Sequence, residues 1–93
     1  MKSAYELAME RLKAAEPDSA PLTAEQKERL AELDARYKAK IAERDIFLRK
    51  AYDEAVERTD GEAVVQLRQQ MVSERARLED EREAEKERVR RGR

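Results

Sequence analysis

The sequence contains no cysteine, no histidine and no tryptophan, and only two glycines, two prolines and one phenylalanine. Without cysteine there is no disulfide, thiolate metal ligand, redox centre or cysteine nucleophile. Without histidine there is no imidazole base or ligand, and no side chain that ordinarily titrates near neutral pH. Gly61 and Gly92 stand apart, which excludes a glycine-rich phosphate loop and a dinucleotide fingerprint. No run approaches the ~18 apolar residues of a membrane span. Met1-Lys2-Ser3-Ala4-Tyr5-Glu6 lacks the continuous apolar segment of a secretory signal, so the expected compartment is the cytoplasm. No cofactor, metal, membrane or small-molecule substrate is expected.

What the chain does have is charge. Asp, Glu, Lys and Arg make up 46% of the 93 residues, yet 21 basic side chains nearly cancel 22 acidic ones. A chain this short buries only about 60% of its unfolded surface even with an ordinary composition. At a mean hydropathy of −1.04 it cannot build a deep globular core alone.

Helix breakers are few and clustered. Both prolines fall in Glu16-Pro17-Asp18-Ser19-Ala20-Pro21, and neither Gly nor Pro recurs until Gly61. Long runs of Ala, Glu, Lys, Arg, Leu and Gln between such breaks favour helix. The predicted fold is all-α: a short N-terminal helix followed by a long antiparallel helical hairpin, a coiled coil. Helices are expected over about 3–15, 24–58 and 62–90. The domain organisation is then 1–16 (N-terminal helix), 17–22 (Pro-containing linker) and 23–93 (hairpin, turn at 59–61, Arg-rich tail). Thr23-Ala24-Glu25-Gln26 forms a capping box. Thr59-Asp60-Gly61-Glu62 offers a second, with Gly61 free to take a left-handed turn. Acid-before-base pairs at four-residue spacing, such as Glu25–Arg29, Glu32–Arg36, Asp34–Lys38, Asp45–Arg49 and Glu54–Arg58, suit the exposed faces.

Apolar positions in steps of three and four define a seam. On the second helix it runs Leu30, Leu33, Tyr37, Ile41, Leu48 and Tyr52; on the third, Val64, Leu67, Met71, Leu78 and Val89. The steps follow an eleven-residue repeat, which favours nearly straight helices over a left-handed supercoil. Folding back at 59–61 sets Ala55 against Val64, Tyr52 against Leu67, Leu48 against Met71, Ile41 against Leu78 and Leu30 against Val89. Arg44 and Arg75 then meet in mid-seam, where either they simply snorkel to solvent or crossed pairing with Glu74 and Asp45 relieves their repulsion and sets register. Tyr37 opposite Arg82, and Leu33 opposite Lys86, predict an open end looser than the turn end.

A second apolar line is left over: Ala35, Ala39, Ala42, Ile46 and Val56 with nearby Phe47, and Val65, Val72 and Ala76 on the third helix. A two-helix hairpin cannot bury it. Either the first helix covers it, using Tyr5, Ala8, Met9, Leu12 and Ala15, or another chain does. A homo-oligomer, dimer favoured, or another helical protein is the expected partner.

Two charged features remain. Acids crowd residues 79–87, but a two-helix hairpin has no dry cleft in which to raise a carboxylate pKa, so no catalytic residue is expected. Arg88, Arg90, Arg91 and Arg93 follow at the C-terminus. Cations there complement the helix dipole, and they are also a candidate anion-binding tail for nucleic acid or the ribosome.

Leu22-Thr23-Ala24-Glu25-Gln26 resembles the LTxxQ motif of the small periplasmic helical-hairpin chaperones of the Spy/CpxP family. The match covers five residues and occurs once, where that family typically shows it twice. The resemblance implies binding of unfolded clients on a concave helical surface. From the residues themselves, the function expected is that of a non-enzymatic coiled-coil scaffold acting through self-association or helix-mediated binding.

Overall fold

The computed structural model describes residues 2–15 and 21–92, with side-chain placements for 2–11 and 21–92. Among them the elements are α1 (Ala4–Ala15), α2 (Ala24–Glu57) and α3 (Gly61–Arg90), and there is no strand. At ~1.5 Å per residue α2 and α3 are about 51 and 45 Å long, and they pack against each other as an antiparallel hairpin. The radius of gyration is 20.9 Å, where a compact chain of this length would have about 12 Å. The fold is a rod, and among the described residues its interior is the seam between two helices. Most of the proposed linker falls on residues 16–20, outside the described residues.

Each end of α2 has a chemical cause. Thr23 Oγ1 accepts from the Gln26 N–H at 3.0 Å, and Gln26 Oε1 accepts from the Thr23 N–H at 2.8 Å, which satisfies two of the donors a helix start leaves open. Gln26 also donates through Nε2 to the Val89 carbonyl at 2.9 Å, tying the start of α2 to the end of α3. At the other end the Asp60 N–H reaches the Ala55 carbonyl and the Thr59 N–H reaches that of Val56, both at 3.0 Å. This is a Schellman closure.

The residue in its left-handed position is Thr59, at φ +54°, and not Gly61. Gly61 is instead the first residue of α3, and Asp60 caps that helix by accepting from the Ala63 N–H at 3.2 Å. The expected use of Gly61 is thus overturned. The closure needs its left-handed residue directly after the cap residue Arg58, and the glycine comes two positions too late. At the end of α3 the same device does use a glycine: Gly92, at φ +76°, donates to the Val89 carbonyl.

The interior consists of Leu33, Tyr37, Ile41, Leu48 and Ala55 from α2 and Leu78 from α3, each under a tenth exposed. Burying each Leu or Ile here stabilises by ~1.5–3 kcal/mol. Leu33, Tyr37, Ile41 and Leu78 form one cluster, with Val89 packed against it. That cluster lies in the half of the hairpin away from the turn, so the open end is not the looser one. The physical reason is the long stem of a charged neighbour. Lys86, only 15% exposed in its side chain, pairs with Asp34 at 2.9 Å, so its stem is buried while its ammonium stays paired.

The described part of α1 makes no comparable interior. Tyr5, Leu7 and Met9 are 74%, 47% and 39% exposed, and Lys2 pairs with Glu10 along the same segment. Of the residues proposed to cover the second apolar line, Leu12 and Ala15 have side chains outside the described set. The others are in solvent.

Candidate interaction surface

At mid-rod two arginines carry charge across the seam. Arg44 donates through Nη2 to both carboxylate oxygens of Glu74, at 2.9 and 3.2 Å, and Arg75 approaches Asp45 at 3.9 Å. Both arginines thus reach across to the acid beside the opposing arginine. Arg44 also lies 5.0 Å over the Phe47 ring, so Phe47 is held on the Glu74 side of the seam.

The opposite side is more open. Ile46 and Val72 are 73% and 67% exposed, and both line one groove with Met71 as its floor and Asp45, Arg49, Asp53 and Arg75 along its edges. Past the Asp45–Arg75 pair the groove continues toward the open end over Ala42 and Ile41, edged by Asp34, Lys38 and Glu79. Toward the turn, Tyr52 is flanked by two guanidinium groups. Arg49 lies 5.8 Å and Arg68 5.9 Å from its ring centre, and Arg68 donates to its hydroxyl at 3.1 Å. This stack and the Gln26–Val89 bond were not legible in the sequence, because each depends on rotamers chosen only after the helices meet.

The proposed partner stripe is therefore divided. Ala35, Ala39, Ala42, Ala76, Val56 and Val65 are all exposed with Ile46 and Val72, but of the whole stripe only Ala42, Ile46 and Val72 line the groove. One residue along a helix is a rotation of about 100°, which carries Phe47 round to the other side. The seam residues sit inside or at the edge of the interior: Leu33, Tyr37, Ile41, Leu48 and Leu78 are buried, and Leu30, Tyr52, Val64, Leu67, Met71 and Val89 half-buried.

Charge pairing on the helix surfaces differs in detail from the spacing argument. Three of the i,i+4 pairs that form run base before acid, Arg49–Asp53, Arg75–Glu79 and Arg77–Glu81, and one, Glu87–Arg91, runs acid before base. Among the described residues Glu25–Arg29, Glu32–Arg36, Asp34–Lys38, Asp45–Arg49 and Glu54–Arg58 do not close within 4.0 Å. Asp34 and Asp45 are taken instead by α3, through Lys86 and Arg75.

At the C-terminus, Glu87 holds Arg91 at 3.0 Å and Arg90 at 3.3 Å. Those hydrogen bonds, Arg91 first, lower the Glu87 pKa. Arg88 lies apart, in a shallow groove with Arg29 and Arg36 that also includes Glu32 and Glu85. Arg93 is outside the described residues. Burial raises the Tyr37 phenol pKa, with a hydrogen bond to Glu85 and its negative charge adding to the effect. Arg82 buries its Nε without a hydrogen-bond partner, with the Glu83 carboxylate 3.6 Å away.

No protein-family model, curated protein or solved structure matches the chain. Among the described residues no group of three or more acidic, His or Cys side chains is arranged to hold a metal ion, and no helix is long and apolar enough to cross a membrane.

Proposed function

We propose that the protein is a non-enzymatic helical interaction module, a stiff hairpin that presents its Ile46–Val72 groove to a helix of a like chain or of another protein. The observation that carries this reading is the pairing of two strongly exposed branched aliphatic side chains in one groove with an apolar floor. An amphipathic helix laid along such a groove buries side chains that the hairpin cannot bury itself. The charged edges, with both signs present, would set the orientation of the arriving helix more than its affinity.

Attachment to nucleic acid through the tail draws no support from the geometry. Two of its arginines are occupied by Glu87, and no aromatic is interleaved with them for base stacking. Client binding of the chaperone type would need a concave apolar surface wider than this one groove.

A photo-reactive residue replacing Val72, irradiated in living cells, tests the reading. Cross-linking to a protein, itself or another, is the expected result, while the same residue replacing Asp80 should give none. Absence of any product from position 72 refutes the proposal.

A further inference from the structure

The interaction reading leaves open what fills the groove, and the inference here rests on that reading. We infer that the occupant is a second copy of this chain, related by a two-fold axis parallel to the rod. The product is a four-helix bundle in which α2 of each subunit lies antiparallel across α3 of the other.

The register of the hairpin carries the inference. The cross-helix pairs Asp34–Lys86, Arg44–Glu74, Asp45–Arg75 and Tyr52–Arg68 show which residues stand at the same height along the rod. On that scale Ala42 stands level with Ala76, Ile46 with Val72, and Val56 with Val65. Every one of these side chains is exposed. A two-fold axis along the rod preserves height, so it brings Ile46 opposite Val72 of the partner subunit, Ala42 opposite Ala76 of the partner subunit and Val56 opposite Val65 of the partner subunit. Each is an apolar layer formed twice.

Charge follows the same rule. The groove side of α2 carries Asp45 and Asp53, and that of α3 carries Arg75 and, by its spacing, Arg68 at nearly the same heights, with Lys38, Glu79 and Arg82 further toward the open end. The spacing Arg68, Val72, Arg75, Glu79 in steps of three and four keeps these on one face. Asp45 and Asp53 therefore meet opposite charge across the axis.

Area is sufficient. A face about 45 Å long and two helix diameters, about 20 Å, wide offers roughly 900 Å², close to the ~800 Å² per partner of a standard interface. The net charge of −1 adds little repulsion between copies.

The natural absence of cysteine makes the test direct. The mass of the intact chain is measured by sedimentation equilibrium, with twice 10.9 kDa expected. Chains bearing Ile46→Cys are then mixed with chains bearing Val72→Cys and mildly oxidised. The mixed disulfide should exceed either symmetric product several-fold, and Ile46→Glu with Val72→Glu should return the chain to 10.9 kDa with unchanged helicity. A monomer at every concentration, or a dominant symmetric Ile46→Cys product, overturns the inference. A monomer whose position 72 still cross-links to a different protein in cells sinks this inference alone and leaves the interaction reading standing.

Discussion

Replacing Thr59 by glycine should stabilise the hairpin. Thr59 is a β-branched residue held at φ +54°, where Cβ crowds the neighbouring carbonyl at a cost of ~1–2 kcal/mol. It stays there because the Schellman closure needs a left-handed residue at that point, and the bonds from Thr59 and Asp60 back to Val56 and Ala55 outweigh the strain. Glycine removes the crowding but gives the unfolded chain more freedom, worth roughly 0.4–1 kcal/mol in the other direction. It also forfeits the exposed bond from Thr59 Oγ1 to the Arg58 carbonyl at 2.6 Å. The net gain is about 0.5 kcal/mol, up to about 1. For a domain of this size 1 kcal/mol corresponds to a rise in melting temperature of about 4–8 °C, so the expected shift is about 2–8 °C, read by circular dichroism. Thr59→Ala is the control, because it keeps Cβ and loses the hydroxyl bond. Equal stabilisation by alanine, or destabilisation by glycine, would show that the left-handed geometry is not the source of strain.

Gly61→Ala should also stabilise, by up to about 1 kcal/mol, since a Cβ there meets nothing within 4 Å and φ is not left-handed; a lower melting temperature would contradict the assignment of Gly61 to α3. Leu48→Ala, at a side chain only 2% exposed, should cost ~2–5 kcal/mol in urea denaturation, and a loss below about 1 kcal/mol would mean the mid-seam is not packed. Gln26→Ala removes half of the capping box and the bond to Val89, at a cost of about 1 kcal/mol; hydrogen exchange should rise first at both chain segments of the open end, and uniform loss along the rod would count against the clamp. Glu87 has its folded pKa below its usual 4.5 because Arg91 and Arg90 bind the carboxylate, so its stabilisation is present above that value and disappears as pH falls through the folded pKa. Tyr37 is shifted upward from 10.0, mainly by burial, so its contribution is present below that value and is lost as pH rises through the folded pKa. With no histidine, the melting temperature should be flat between about pH 6 and 9, and a step near pH 6.5 would be at odds with this.

Helix existence, length and order are properties of local chemistry, and they were legible without a fold. Alanine and long straight-chain residues lose little freedom in a helix, the breakers are confined to short stretches, and Thr23 with Gln26 can close a capping box using residues three apart. The all-α hairpin follows from these and from a turn too short to allow anything but antiparallel packing. Which residue bends the turn was not local. A glycine is the cheapest left-handed residue, yet the geometry of closure after Arg58 assigns that conformation to Thr59. Packing also decided which charges pair: Asp34 and Asp45 have suitable partners on their own helix, but α3 brings Lys86 and Arg75 within reach and takes them. The candidate surface divides in the same way. Sequence spacing showed that Ile46 and Val72 lie outside the seam, but only the meeting of α2 and α3 placed them in one groove and turned Phe47 away under Arg44. A sequence sets where each side chain points around its own helix axis; the rotation of one helix against the other, set by how Tyr37, Leu48 and Leu78 fill the space between them, decides which exposed side chains share a face.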